Sequence, residues 1–500
     1  MDRIKIGWGR RETSVDEPVA IGGQMYLRIS EGIHDPLYVT ALAVDGGEGQ
    51  AQVIFLSCDL VNIPKGLLAQ VQEAVAAMQP QICGEWIIMS ATHTHAAASA
   101  RKVQAVSPDG AYVYPAEKYR AYFAQKCAEA VVEAWNSRAE GGFAYGYGYA
   151  VVAHSRRVCY FTDEKSFGSA SRCVMYGNTN DHTFSHYEGG ADHFLNALYT
   201  FDKNEKLTGI IVNVPCPSQV TEHLRTLSAD YWGDVRELAA ERFGEDVYIL
   251  PQCAAAGDLA PRILHYLPAQ ARRMGLKFNM PYDAELAMKK VPQHDHNKRF
   301  AERKDIAQRI MAALEEVYSW ARKEIITHAP VKHHGWKQPM DRRRITDAEL
   351  ATCRQKLKEM EAAAPVPGED PEQYRVAMSA YTSSKNRYEN VIEKYKLQFE
   401  NERPAFDTHV VAIGDVAFAS TGFELYQDFM HRVQARSPFI QTFVVQITGD
   451  GSGTYLPTKR AQEAKGYGAS IYSTQVGCEG GQQWVEAVLE RLEEMKRNME

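Results

Sequence analysis

The chain has 500 residues, 45% of them hydrophobic and 24% charged, the balance of an ordinary soluble protein with enough apolar material for a large core. A net charge of −7 excludes the basic footprint that nucleic acid or an anionic membrane surface would require. No apolar run is long enough to span a bilayer, Met1-Asp2-Arg3 does not open a secretory signal, and the nine cysteines form no Cys-x-x-Cys pair. Reduced thiols and a cytoplasmic location are the expectation.

Residues 1 to about 262 alternate strands and helices. Apolar runs with β-branched residues predict strands at 5–8, 37–44, 53–57, 86–91, 143–152, 210–214 and 247–250, and helical periodicity predicts helices at 66–78, 117–135 and 230–243. In the second helix Tyr119, Phe123, Cys127, Ala130 and Ala134 recur at helical spacing, so one face is buried and a sheet covered by helices follows.

From 265 to 404 the text becomes charge-rich and helical. Helices are predicted at 299–323, 347–364 and 371–400, the last two joined through Pro365-Val366-Pro367-Gly368 as an antiparallel hairpin with solvated faces. This stretch reads as a helical insertion or arm, with packing or homo-oligomerisation as its expected work. His294-Asp295-His296 and His333-His334 lie in it, and surface positions are expected for them.

After 405 the α/β pattern returns, with strands at 409–414, 416–420 and 442–447, a helix at 425–436 and a terminal amphipathic helix carrying Trp484, Val488, Leu489, Leu492 and Met495 on one face. This piece is too short to build a core alone and is expected to complete the fold begun before 262. The expected division is therefore one α/β domain from 1–264 and 405–500, with 265–404 inserted.

The chemistry starts at Ser90-Ala91-Thr92-His93-Thr94-His95, where a buried strand runs out into a loop with two imidazoles. Loops at the carboxyl ends of strands converge over a rigid sheet, and alternation along an extended chain puts both rings on one side. That spacing suits two metal ligands, or one ligand and one acid/base partner.

This loop resembles the signature loop of the neutral ceramidases and their bacterial relatives, zinc-dependent amide hydrolases. Further stretches resemble that family in the same order: Gly32-Ile33-His34-Asp35-Pro36-Leu37, Ser155-Arg156-Arg157, Ala256-Gly257-Asp258, Gly422-Phe423-Glu424, Tyr455-Leu456-Pro457-Thr458, and Gly466-Tyr467-Gly468-Ala469. The match covers both α/β parts and skips the helical stretch. It implies mixed sheets covered by helices, His93, Glu424 and Tyr455 as zinc ligands, and His95, Arg156 and Tyr467 as polar groups around the scissile bond. Tyr455 can instead serve as a neighbouring hydrogen-bond donor, and Glu424 can simply favour the first turn of a helix.

Two departures stand out. Where the family has a second histidine ligand, the chain reads Pro215-Cys216-Pro217-Ser218-Gln219-Val220-Thr221-Glu222-His223, so either the Cys216 thiolate or His223 is the fourth ligand. Where the family has a serine before the Ala-Gly-Asp turn, the chain has Cys253-Ala254-Ala255. Either Cys253 replaces the hydroxyl, or water attacks with His95 or Asp258 as acid/base partner. Glu188, Asp192 and His193 are further candidates to line the pocket. The expectation is a zinc-dependent hydrolase of a small polar substrate, an amide first, with a glycosidic or ester bond as the alternative, or a metal- or ligand-binding protein without activity.

Overall fold

A computed structural model describes residues 2–101, 107–162, 170–283, 296–450 and 453–499. Eight strands make the larger sheet, in the order Tyr248–Cys253, Leu207–Val214, Phe194–Asp202, Ala139–Tyr149, Lys5–Glu12, Tyr38–Asp45, Gln52–Cys58, Ile87–Ala91. The pair at each edge is parallel and the strands between are antiparallel. A four-stranded sheet, Val331–Pro339, Ala405–Ile413, Val416–Ser420 and Gln441–Val445, also ends in a parallel pair.

Alternation along the strands assigns each side chain to a layer. In Gln52–Cys58, Val53 and Phe55 join a core made between the two sheets, where Phe55 meets Phe418 at 4.7 Å and Phe418 meets Phe443 at 4.6 Å between ring centroids. Ile54, Leu56 and Cys58 enter a second core, shared with the helices Leu67–Met78, Ala116–Asn136, Tyr231–Phe243 and His296–Ala321. A third core lies beneath Gln427–Arg436 and Cys478–Arg497 on the far face of the smaller sheet, with Trp484, Val488, Leu489 and Leu492 buried in it as their spacing predicts. The result is a helix, sheet, sheet, helix sandwich, in which each fully buried Leu or Phe contributes about 1.5–3 kcal/mol.

The stretch 265–404, expected as a helical insertion or arm, contributes to both the helix-covered core and the smaller sheet. Ile306, Ile310, Leu314 and Val317 of His296–Ala321 are buried in the helix-covered core, and Val331–Pro339 pairs along its whole length with Ala405–Ile413. Only Asp347–Glu361 and Pro371–Glu400 form the expected hairpin, packed through Ile345, Cys353, Val391 and Ile471. The strand escaped a periodicity reading because its residues are mostly polar and half-exposed. Phe194–Asp202 and a separate three-stranded sheet, Ala170–Met175, Arg157–Phe161 and Phe184–Tyr187, are likewise additions to the expected elements. His294 and Asp295 lie outside the described residues. His333 is not at the surface in the expected sense, since its Nε2 lies 3.0 Å from His409 Nδ1 across the strand pair.

The parallel pairs bring the site together. The Ala91 N–H donates to the Ile447 carbonyl (3.2 Å), and the Gln446 N–H donates to the Cys253 carbonyl (3.0 Å). The carboxyl ends of Ile87–Ala91, Tyr248–Cys253 and Gln441–Val445 are thus stitched to one another, and their loops share one region.

Candidate active site

His93 stands where the chain leaves Ile87–Ala91, with φ at 64°, a left-handed conformation uncommon for a residue with a Cβ. The backbone is therefore turned here rather than extended, and the turn brings the His93 and His95 rings to 4.9 Å between centroids, edge to face. Ile447, its neighbour across the strand ends, has φ 57°, rarer still for a β-branched residue. Strain of this kind persists only where surrounding contacts over-determine it, and it clusters at functional sites.

The His93 ring is held by Nδ1, 2.5 Å from the Val61 carbonyl. A carbonyl only accepts, so in the neutral ring Nδ1 carries the proton and Nε2 keeps its lone pair. That Nε2 faces Glu424 Oε2 at 3.5 Å. Glu424 lies in a two-residue strand, Glu424–Leu425, paired in parallel with Tyr455–Leu456 and directly opposite Tyr455. The helix starts later, at Gln427, so the helix dipole does not account for this carboxylate. Gly257 permits the arrangement, because a Cβ there would sit 2.6 Å from the Glu424 carbonyl oxygen.

Arg156 closes this side. Its Nη2 donates to the Gly257 carbonyl (2.9 Å) and to the Tyr455 hydroxyl (3.3 Å) and lies 3.9 Å from Glu424, while Nη1 donates to the Tyr176 hydroxyl (3.1 Å). Burial opposes the guanidinium charge, but Tyr176, Tyr455 and Glu424 outweigh it and hold its pKa well above the ordinary value. Burial also opposes the Glu424 charge, and His93 with Arg156 overcomes it, leaving that carboxyl below its usual range. Tyr455 is pushed well up, first by burial and then by Glu424, so it is a phenol that donates to the carboxylate. Tyr467 packs edge-on against Tyr455 at 5.5 Å between centroids.

His95 has a partner that its motif did not announce. Its Nδ1 lies 3.4 Å from Glu222 Oε2, and its Nε2 is buried with no hydrogen-bond partner among the described residues. Burial lowers the His95 pKa despite Glu222, so the ring is neutral near pH 7. Glu222 is also paired with Arg262, and this arginine together with His95 and His223 keeps the carboxyl well below its usual range against the cost of burial. Arg28 fixes the loop itself, its guanidinium donating to the carbonyls of His95 (2.6 Å), Gly22 (2.6 Å) and Leu224 (2.7 Å). Gln219 donates to the Tyr176 hydroxyl, joining the Glu222 loop to Arg156. Glu222, Gln219, Tyr176 and Arg262 were missed as site residues; the one signal for Glu222 was its place beside His223.

The two candidates for a fourth ligand do not close on the His93–Glu424 pair. Cys216 is fully buried in the helix-covered core, with Sγ 3.3 Å from the Val152 carbonyl, and burial raises its thiol well above the ordinary value. His223 turns Nδ1 to the Tyr26 hydroxyl (3.3 Å), with Nε2 3.7 Å from Glu222. Cys253 is equally unsuited to replace the missing serine, since its Sγ rests 3.3 Å from Gln446 Nε2 and burial pushes its pKa up to about 12. Asp258 is drawn into scaffolding: Oδ1 accepts the Gln427 N–H (3.1 Å) at the head of a helix, and its carbonyl accepts the Arg156 N–H (3.1 Å). Burial lifts its pKa to about 6.

Two solved structures are similar to the chain over 100% of its length. The crystal structure of neutral ceramidase from Pseudomonas aeruginosa superposes with a TM-score of 0.67 at 14% identity, 75% of that chain being covered. A ceramidase complexed with C2 gives 0.64 at 14%, with 76% of that chain covered. The chain has the neutral ceramidase fold. No protein-family model matches it, and no curated protein matches it in sequence. On this neutral ceramidase fold the motif residues His93, Arg156, Glu424, Tyr455 and Tyr467 meet, although they come from both α/β parts of the chain.

Of the remaining pocket candidates, His193 keeps a buried Nδ1 with no hydrogen-bond partner among the described residues, while the two acids are engaged elsewhere. Glu188 forms a buried pair with Arg157 (2.6 Å), and Asp192 pairs with His431 (3.1 Å) while accepting the Phe194 N–H. Among the described residues no helix is long and apolar enough to cross a membrane.

Proposed function

We propose that the chain is a zinc-dependent hydrolase that cleaves an amide bond in a small polar substrate. The observation that carries this reading is the meeting of His93 Nε2, the Glu424 carboxylate and the Tyr455 hydroxyl, with Arg156 beside them, at the strand ends of a neutral ceramidase fold. An imidazole with its other nitrogen held by a carbonyl, a carboxylate and a phenol are three donors that suit zinc with a position left open. When bound, the ion would polarise water or the substrate carbonyl.

The chain's own residues supply the rest. His95, neutral and oriented by Glu222, takes the proton of the attacking water and returns it to the leaving amine. Arg156 and Tyr467 face the oxygen on which negative charge develops. The helix Pro371–Glu400 packs beside Tyr467: Ser379 Oγ accepts the Leu27 N–H (2.9 Å), and the Arg387 guanidinium lies over the Tyr467 ring at 5.9 Å. That packing supports a compact, polar substrate over a long acyl chain.

The test joins elemental zinc analysis to a substrate screen of short acyl amides, esters and aryl glycosides, with parent, His93→Ala and Glu424→Gln proteins. Amide turnover is expected to disappear in both variants together with one equivalent of zinc, the equivalent held at this centre. A folded parent that takes up no zinc on reconstitution, or that cleaves only esters or glycosides, would overturn the reading.

A further inference from the structure

A second cluster of donors lies in the three-stranded sheet. Cys159 on Arg157–Phe161 stands directly opposite Cys173 on Ala170–Met175, so the two side chains share a face of the sheet. Arg157, two residues before Cys159, is on that same face, and Glu188, which follows Phe184–Tyr187 on the other side, reaches Arg157 there. The register alone thus gathers two thiols, a carboxylate and a guanidinium. The two sulfurs and a Glu188 oxygen all lie within 4.8 Å of one another, and both cysteines are only 4% exposed.

We propose that Cys159, Cys173 and Glu188 form a binding site for a zinc ion, separate from the His93 centre. Paired thiolates select a borderline-soft ion such as zinc over calcium or magnesium, which prefer oxygen. Charge balance favours it as well. Two thiolates and Glu188 bring three negative charges, and a divalent ion with Arg157 brings three positive ones, so the buried cluster is neutral when loaded. Binding displaces both thiol protons to solvent, and each sulfur gives an electron pair to the metal; nothing is oxidised or reduced. Glu188 meets Arg157 Nε at 2.6 Å and Nη2 at 2.9 Å, leaving lone pairs on both oxygens for a third partner.

The site would act on the candidate active site through Arg157. This guanidinium also donates to the carbonyls of Ala461 (3.3 Å), Lys465 (2.9 Å) and Tyr467 (3.2 Å), so it clamps the segment that presents the Tyr467 ring. Gly466 lies against the same strand, where a Cβ would come within 2.9 Å of the Cys173 carbonyl. A metal crosslink between the two strands would hold that clamp in place.

Cobalt substitution on the full chain tests this without relying on activity. The His93 centre offers nitrogen and oxygen donors only, whereas thiolate ligation produces an intense sulfur-to-cobalt charge-transfer absorption. That absorption is expected in the parent and in His93→Ala, and its loss in Cys159→Ser and Cys173→Ser, each losing one equivalent of metal. A folded parent that binds cobalt without the charge-transfer band would overturn the proposal. So would an intact mass lighter by two hydrogens that maps to a Cys159–Cys173 disulfide. A parent without the band decides against the site whether or not a variant folds, and a band that persists in folded Cys159→Ser and Cys173→Ser would overturn it too.

Discussion

His93 Nε2 lies 3.5 Å from Glu424 Oε2, and this one contact joins the last strand of the eight-stranded sheet to the loop that leaves the four-stranded sheet. The sandwich interface, and not either sheet alone, therefore assembles the donors of the candidate centre. Strain at His93 and Ile447 sits on both sides of the junction.

Glu222 orients His95 without touching the His93 donors. Glu222→Gln is expected to lower kcat about 10–100-fold, as the loss of an orienting partner does, with zinc content unchanged. Steady-state kinetics and metal analysis on the same preparation check it; a change confined to KM would contradict the positioning role.

Arg156 serves Tyr176, Gly257 and Tyr455 at once with a planar fork. Lysine cannot reproduce that geometry. Arg156→Lys is expected to reduce kcat by roughly 10²–10³-fold, the scale of one lost donor at a developing oxyanion. An unchanged kcat with weaker binding would show that the residue serves only the ground state.

Gly257→Ala places a methyl 2.6 Å from the Glu424 carbonyl oxygen and 3.0 Å from that of Leu425. Backbone must shift to relieve it, at about 1–3 kcal/mol, and the shift moves a proposed ligand. A lower Tm together with reduced zinc occupancy is the expected outcome, measured by thermal denaturation and metal analysis.

The His333–His409 pair makes stability depend on pH. Burial lowers His333 to about 3 and His409 to about 4, while both rings titrate near 6.5 in the unfolded chain. Their folded pKa values are depressed, so the unfolded state binds the protons first as pH falls. The contribution is whole above pH 6.5 and is lost below it, by about 2 kcal/mol for each ring near pH 5. Urea midpoints between pH 5 and 7.5 should fall in the parent and fall less in His409→Phe; equal slopes would exclude the pair as the cause.

Much of the architecture was legible in the chain. The buried face of the 116–136 helix, the strand before His93 and the helical hairpin follow from local periodicity and loop composition, because alternation and helical spacing record which face of an element is buried, whereas Arg156, Glu424, Tyr455 and Tyr467 were singled out by the resemblance of their motifs to a known family. Within the stretch expected as a helical insertion or arm, Val331–Pro339 was not foreseen, because it is a mostly polar strand, made a strand by its pairing with Ala405–Ile413. Cys216 had the right chemistry for a ligand, but the core into which its sulfur points is built by remote segments. The same holds for Glu222 beside His95, for Asp258 at a helix start and for the facing thiols of Cys159 and Cys173. Sequence by itself determined the elements whose periodicity is strong and the faces they bury. Tertiary structure alone decided which loops meet, because register and sheet-on-sheet packing depend on contacts between residues far apart in the chain, and burial at those contacts sets which groups are charged.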